Sequence, residues 1–356
     1  MDVAALRLRN QKLIRSGYRK PEEIVGWLGA MQAQDYPGAR WAIGLRTKAV
    51  TDGDVERAVD DGRILRTHIL RPTWHFVTPA DVRWMLNLSG PRLHVVNAPY
   101  YRRNGLDEET IARSRSAIAK ALAKGAHLTR QELAAVLAKR RVRASGERLA
   151  YVMMRAELDG VICSGARRGN QVTYALLDER APAASIMKRE EALATLATRY
   201  FTGHGPATLR DFVWWSGLTV KDAKSAVDAA GTSLDQVALD GLRYWFGAGA
   251  SGNSGPASSL LLLPNYDEYL IAYKDRGTIR DPSSRAGSTV SLEFGHFLII
   301  DGKLRGSWKR TLGANGAVIT VRPFRPLTAA ERRDLEGQAA RYGRFLGVPT
   351  AIQCRS

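Results

Sequence analysis

Apolar positions recur at helical spacing in three stretches of this chain, and each stretch closes with short apolar runs of strand length. The clearest lies between residues 101 and 184. There the pattern predicts a helix from Asp107 to Lys124, with Asp-Glu-Glu in its first turn, where carboxylates suit the helix dipole. A second helix opens at His127-Leu-Thr-Arg-Gln-Glu-Leu, with Thr129 as N-cap and Glu132 completing a capping box. A third, Ser145 to Leu158, ends at Gly160. Val161-Ile-Cys-Ser and Gln171-Val-Thr-Tyr-Ala-Leu-Leu then flank a basic turn, Gly165-Ala-Arg-Arg-Gly-Asn, and read as a hairpin. Three helices followed by a hairpin is the winged-helix layout.

Residues 185–255 replay it. A helix from Lys188 to Phe201 leads to Gly205-Pro-Ala-Thr-Leu-Arg-Asp-Phe, which parallels Gly125-Ala-His-Leu-Thr-Arg-Gln-Glu-Leu. Thr219 caps a further helix, Val220 to Ala230, and apolar strand candidates follow. Residues 1–100 fit the same scheme, with helices Ala5–Arg15, Pro21–Met31 and Asp52–Asp61 and strands Ile64–Leu70 and Trp74–Val77. Three like units in series predict a tandem array. Gly249–Ser259, rich in Gly and Ser, marks the last boundary. Beyond it, over 256–356, short strands are predicted at Leu260-Leu-Leu-Leu, Tyr269–Tyr273, His296–Ile300, Gly306–Thr311 and Ala317–Val321. Turns at Asp301-Gly302 and Asn315-Gly316 separate some of them, as in a small sheet or barrel. A final helix, Thr328 to Leu346, pairs its Thr328 cap with Glu331. The fold class is therefore α+β.

Composition narrows the function classes. Of 356 residues, 45% are apolar and 25% charged, an ordinary globular balance. No run approaches the ~18 apolar residues of a membrane span, and no apolar signal core follows Met1. A cytoplasmic chain with no membrane partner is expected. Cys163 and Cys354 fit neither a disulfide scaffold nor a zinc site. The net charge of +18 favours polyanions, and nucleic acid above all. There is no GxGxxG on a strand, no P-loop, GxSxG, HExxH or CxxC, and the six histidines show no ligand spacing. No cofactor and no metal are expected.

What remains for chemistry is Met31-Gln-Ala-Gln-Asp-Tyr-Pro-Gly38. Ile24, Leu28 and Met31 form an apolar helical stripe with Gln32 on its edge. Gln32 and Gln34 point to nearly opposite faces of an intact helix, but the same way on extended backbone. Pro37-Gly38 is read as ending the helix there, so both amides can project into one cleft. A plain capping turn explains the same residues. Trp74 reads as core, and His75 as either a satisfied internal histidine or a DNA contact. Arg167 and Arg168 sit in the basic turn as candidate phosphate contacts. Arg280 and Arg285 lie in a connection from Arg276 to Ser288 that can probe a groove. Trp214-Trp215 reads as core of the third unit.

Several of these segments together resemble the AlkZ-type DNA glycosylases of the winged-helix DNA-binding superfamily. Gln32-Ala-Gln34, followed by Asp35 and by Arg40-Trp-Ala-Ile, resembles their Gln-Φ-Gln signature. Leu70-Arg-Pro-Thr-Trp-His-Phe-Val77 is similar to their Arg-x-Thr-x-His strand. Leu262-Leu-Pro-Asn-Tyr-Asp-Glu-Tyr269 and Asp301-Gly-Lys-Leu-Arg-Gly-Ser-Trp-Lys-Arg310 are similar to their C-terminal segment. Pro72 stands where glycine is commoner, and Ala33 is a minimal Φ residue. A sister branch carries Gln-Φ-Asp, but Asp35 comes one place too late for it.

The resemblance implies three tandem winged helices in a C shape, closed by a C-terminal β-barrel. It also implies a monofunctional glycosylase, without cofactor, that excises N7-alkylated purines and bulky or crosslinked relatives from double-stranded DNA. Gln32 and Gln34 would be catalytic, and Arg71, His75, Lys309 and Arg310 in the matched segments are candidate DNA contacts beside Arg167, Arg168, Arg276, Arg280 and Arg285. A nucleoid-associated monomer without an obligatory protein partner is expected, and some such enzymes protect producers of DNA-alkylating natural products. The chemistry is coherent. A neutral amide is a poor base, yet it can orient water and set a carbonyl dipole against an oxocarbenium-like sugar. A cationic N7-alkylpurine leaves without protonation. No aromatic cluster surrounds Gln32 in the sequence, so the lesion is expected not to be fully flipped into a pocket. A non-catalytic winged-helix regulator and a basic nucleoside-processing enzyme are the competing readings.

Overall fold

The computed structural model describes residues 1–181, 183, 187–250, 259–280 and 295–355. Its local structure begins with caps. Asp2 accepts the Ala5 N–H at the start of α1 (Val3–Asn10). Four threonines, Thr51, Thr129, Thr208 and Thr328, open helices in capping boxes, each with a carboxylate three residues on.

The first repeat comprises α2 (Pro21–Leu28), β1 (Met31–Gln32), α3 (Tyr36–Gly44), α4 (Asp52–Asp60), β2 (Leu65–Ile69) and β3 (Arg71–Val77). A long helix, α5 (Pro79–Arg103), leads to the second: α6 (Glu108–Leu122), β4 (Leu128–Thr129), α7 (Arg130–Lys139), α8 (Gly146–Leu158), β5 (Ile162–Ser164) and β6 (Thr173–Leu176), with a short α9 (Leu177–Arg180) behind it. The third holds α10 (Arg189–His204), α11 (Leu209–Ser216), α12 (Val220–Ala230), β7 (Leu234–Leu239) and β8 (Leu242–Gly247). One pairing recurs in all three. A short strand between the first two helices pairs with the second hairpin strand: β1 with β3, β4 with β6, and Ala207 in a bridge with Trp245 of β8. The sheet orders are β1-β3-β2 and β4-β6-β5.

The C-terminal part contains β9 (Leu260–Leu263), α13 (Glu268–Ile271), β10 (His296–Ile300), β11 (Lys303–Gly313), β12 (Gly316–Pro323), α14 (Ala329–Leu346) and β13 (Thr350–Cys354). Its five strands run β13-β12-β11-β10-β9, antiparallel except for β12–β13. The expected barrel does not close. Among the described residues the edge strands β9 and β13 do not pair with each other.

Other expectations are corrected for identifiable reasons. The helix expected over Ala5–Arg15 stops at Asn10, and Lys12 and Arg15 take positive φ. That expected over Pro21–Met31 stops at Leu28, because Gly29 takes φ 78° and the next residues join β3. Pro37-Gly38 begins a helix rather than ending one, since proline suits a first turn where its missing N–H is not needed. The three helices of the first repeat are thus α2, α3 and α4, and α1 stands outside. Helix α5 was not anticipated and runs through Pro91 and Pro99. Tyr269–Tyr273, expected as a strand, is helical at its start because Asp267 caps α13. Residues 251–258 of the Gly249–Ser259 boundary, and the part of the Arg276–Ser288 connection beyond Arg280, lie outside the described residues.

The cores explain how the parts hold together. One apolar cluster combines Ile24, Leu28 and Trp41 of the first repeat with Leu262, Ile299 and Tyr342 of the C-terminal part. A second joins Leu65, Val77 and Met85 to Tyr200 and Trp215 of the third repeat. The second repeat keeps its own, with Ile118, Leu133 and Val152. Helix α3 meets α14 so closely that a Cβ at Gly44 would fall 2.6 Å from the Phe345 ring. The Trp41 indole N–H donates to the Leu262 carbonyl at 2.8 Å.

Charge crosses the same interface. The Arg46 guanidinium, fully buried, donates to both Asp267 carboxylate oxygens, at 2.7 and 2.8 Å, and also to Gln11 and the Ala42 carbonyl. Breaking a buried pair by removing one partner strands the other charge, which costs about 3–5 kcal/mol. Asp267→Asn is therefore expected to lower the unfolding free energy by about that amount in urea titrations. A loss below about 1 kcal/mol would mean that the pair does not hold the two parts together.

Candidate functional site

Gln32 lies on the short strand β1, and Gln34 follows in the bend that leads into α3. The Ala33 N–H donates to the Trp74 carbonyl at 2.7 Å, which carries the β1–β3 ladder one residue past Gln32. In an antiparallel ladder the hydrogen-bonded and non-bonded pairs alternate, so Gln32 and His75, directly opposite, form a non-bonded pair with close side chains. Gln34, two residues on, brings its side chain back toward β3. Gln32 is 9% exposed, whereas Gln34 is open to solvent, with its Oε1 3.5 Å from the Trp74 amide nitrogen.

The outward N–H of Gln32 donates to Glu268 Oε1 at 2.7 Å. Glu268 is buried on α13, and its other oxygen accepts the Trp215 indole N–H at 2.9 Å and stands 3.4 Å from His204 Nε2. Burial pushes this carboxyl up. His204, the Gln32 amide and Arg71 outweigh it and hold the group at about 2. His75 is wholly buried on β3 with Nδ1 2.9 Å from the Thr73 carbonyl, so Nδ1 carries the proton and Nε2 the lone pair. Burial, helped by the charge of Arg71, pushes it down to about 3, which keeps the ring neutral.

The other sheet face is cationic and aromatic. The Trp74 ring is tilted against His68, with 4.5 Å between ring centres, and the buried Glu157 takes both the Trp74 indole N–H at 3.3 Å and His68 Nδ1. Arg66 lies over the Trp74 ring at 4.3 Å and the Tyr36 ring at 5.6 Å, and its Nε donates to the Ala33 carbonyl at 3.0 Å. Arg40 and Arg167 also approach the Tyr36 ring, at 5.0 and 5.9 Å, and both pair with Glu56. Burial raises the Tyr36 phenol despite these cations.

The other candidate residues scatter. Arg71 does not point to solvent: its Nε and Nη2 are buried, close enough to Glu268 to affect its charge. His75, as placed, offers no atom at the surface. Arg167 is held by Glu56 and the Gly169 carbonyl, and its backbone N–H by Asp60. Arg168 is more exposed but bonded to Glu132 and the His127 carbonyl. Arg276 donates to the Leu270 carbonyl, and Arg310 to the Tyr342 hydroxyl. Arg280 and Lys309 are exposed, and Arg285 lies outside the described residues. Trp215 is core as expected, but Trp214 is 38% exposed and only partly packed. Trp74, expected as core, is likewise only partly buried. Sequence reasoning missed Glu268, His204 and Arg66. Glu268 stands within a matched segment, but nothing in its spacing tells that it is buried. Among the described residues no cluster of His, Cys, Asp and Glu could hold a metal ion, and no helix is long and apolar enough to cross a membrane.

The chain as a whole, with its mixed α+β architecture, can be compared with known proteins. A family model described as AlkZ-like DNA glycosylase matches residues 25–345, and the chain belongs to that family. It is 25% identical over 361 residues to an interstrand DNA cross-link repair glycosylase of Streptomyces sahachiroi, covering 97% of this chain and 96% of the relative. The solved structure of the Streptomyces sahachiroi DNA glycosylase AlkZ has the same fold, with a TM-score of 0.81 at 24% identity over 99% of this chain and 98% of that one.

The neutral imidazole has a measurable consequence. An unfolded histidine titrates near 6.5 and folded His75 near 3, so the unfolded chain binds the extra proton between those values. Stability is fully present above pH 6.5 and falls as pH drops toward 3. Glu268 adds a loss in the same direction below about 4.5. The unfolding midpoint of His75→Gln is expected to depend less on pH between 6.5 and 4.5 than that of the wild type. Equal slopes in a chemical denaturation series would contradict a buried neutral ring.

Proposed function

We propose that the chain is a monofunctional DNA glycosylase that hydrolyses the N-glycosidic bond of N7-alkylated purines, bulky and crosslinked adducts included. The observation that carries the reading is the pair of amides held against β3, with Gln32 directly opposite the neutral ring of His75. Glu268, the carboxylate beside them, is engaged by three partners and kept strongly acidic, which makes it a poor proton acceptor. What the site offers is orientation and dipoles. Those suffice to place water and to stabilise an oxocarbenium-like sugar when the departing base is already cationic.

The likeness to an interstrand DNA cross-link repair glycosylase of Streptomyces sahachiroi supports a bulky substrate. In this reading the three repeats are winged-helix units that hold double-stranded DNA, and the +18 charge supplies the non-specific grip. The chain acts as a monomer, and the lesion is approached from a groove rather than enclosed. Protection of a host that makes a DNA-alkylating compound suits this chemistry. A non-catalytic regulator has no use for paired amides with so elaborate a buried support.

Release of N7-methylguanine, and of an intercalator-linked N7-guanine adduct, from duplex oligonucleotides is the expected activity. Gln32→Ala and Gln34→Ala should each slow excision by about 10²-fold or more, the scale of one lost transition-state interaction, with DNA affinity close to wild type. Borohydride should trap no covalent enzyme–DNA adduct. Binding without base release by the wild type would leave the regulator standing, and full activity in the double variant would remove the glutamines from the mechanism.

A further inference from the structure

Five buried polar atoms without a protein partner lie along one face of the central sheet. They are Thr67 Oγ1 on β2, and Arg71 Nε, Arg71 Nη2, Thr73 Oγ1 and His75 Nε2 on β3. Alternation puts residues 71, 73 and 75 on the same side, and the register sets Thr67 opposite His75 across one edge and Gln32 opposite it across the other. Buried polar groups are normally bonded to protein or to ordered water. Here the row mixes donors, acceptors and hydroxyls able to do both, and it runs from the fully buried Thr67 past His75 to Gln32 and the exposed Gln34. A file of water satisfies such a row, because each molecule can accept from one neighbour and donate to the next.

We infer that this face holds a short file of ordered water, and that His75 Nε2 is a further catalytic group, accepting a hydrogen bond from the attacking water beside Gln32. The inference rests on the glycosylase reading above. The tautomer is set by the Thr73 carbonyl, which takes Nδ1–H and leaves the Nε2 lone pair as the acceptor. In the reaction the water oxygen bonds to C1′ of the sugar. The glycosidic electron pair stays on the departing nitrogen and cancels the charge of the alkylated purine. The surplus proton passes from the new C1′ hydroxyl to Nε2 and out along the file to solvent. A protonated alcohol is a much stronger acid than an imidazolium, so even a ring that burial makes weakly basic accepts that proton downhill. A strong base beside the glutamines would not be needed.

Single-turnover excision of N7-methylguanine, with DNA affinity measured in parallel, tests this. His75→Asn leaves nothing at the Nε2 position and should be slower by about 10²-fold at unchanged affinity. His75→Gln, whose amide oxygen reaches that position as a hydrogen-bond acceptor but is a far weaker base, should recover part of the rate. Equal loss in both variants would assign the ring a packing role and overturn the inference. Thr67→Val gives a second arm that does not depend on His75 variants folding. In a dry site, deleting an unpartnered hydroxyl raises the unfolding midpoint and leaves the rate alone, whereas in a hydrated file it lowers both. Raised stability at the wild-type rate would therefore overturn the water file. If the wild type excises N7-methylguanine, Gln32→Ala is inactive and His75→Asn is normal, this inference alone fails. If the wild type releases no base, the glycosylase reading fails and takes this one with it.

Discussion

Two adjacent buried carboxylates, Asp267 and Glu268, decide how this molecule is assembled. Desolvating a carboxylate is costly, and the fold tolerates it only where strong partners surround the group. Asp267 is gripped by Arg46 at the end of α3. Glu268 takes a backbone N–H from Gln32 and an indole N–H from Trp215 of the third repeat. One short helix of the C-terminal part thereby fixes the strand that carries the glutamines to two other parts of the chain. If α13 moves, the position of Gln32 moves with it.

The strand's setting follows from that constraint. The β1-β3-β2 sheet has the second repeat on one side, through Glu157 and the Ser164 hydroxyl, which accepts the Arg66 N–H. On the other it meets the third repeat, through Glu268 and Trp215. One face is polar, with Gln32, His75, Thr73 and Thr67, and its one guanidinium, the buried Arg71, is set near the Glu268 carboxylate. The opposite face carries Arg66, near Arg40 and Arg167 around Tyr36, and Glu56 is shared by the latter two. Separating the two faces matters for the proposed chemistry. A cationic base would be repelled by guanidinium groups without a carboxylate beside them at the point of bond breaking, whereas Arg66, Arg40 and Arg167 on the opposite face favour a phosphate backbone nearby.

Much of this was legible in the sequence, and the misses have physical causes. The caps at Thr129, Thr219 and Thr328 and the hairpin around the basic turn rest on local chemistry, and local chemistry is what a sequence displays. The extended alternative was visible and holds for Gln32, but choosing it required knowing that Gly29 turns the chain and that β3 waits to pair. Pro37 was ambiguous because proline both follows helices and begins them. Tyr269–Tyr273 looked like a strand because a wholly buried helical turn is as apolar as a strand. Glu268 was out of reach. Its role comes from burial among His204, Trp215 and Arg71, residues 50 or more positions away, and no spacing rule encodes that.

The account turns on Glu268 holding the glutamine strand in place. Glu268→Gln keeps the shape but exchanges one acceptor oxygen for a donor NH₂, so it can serve the Gln32 N–H or the Trp215 indole but not both. Single-turnover excision by this variant at saturating DNA, on protein whose circular dichroism matches wild type, is the direct measurement. The account predicts a rate lower by about 10²-fold, the scale of a misplaced reacting geometry, with DNA affinity retained. A wild-type rate would contradict it.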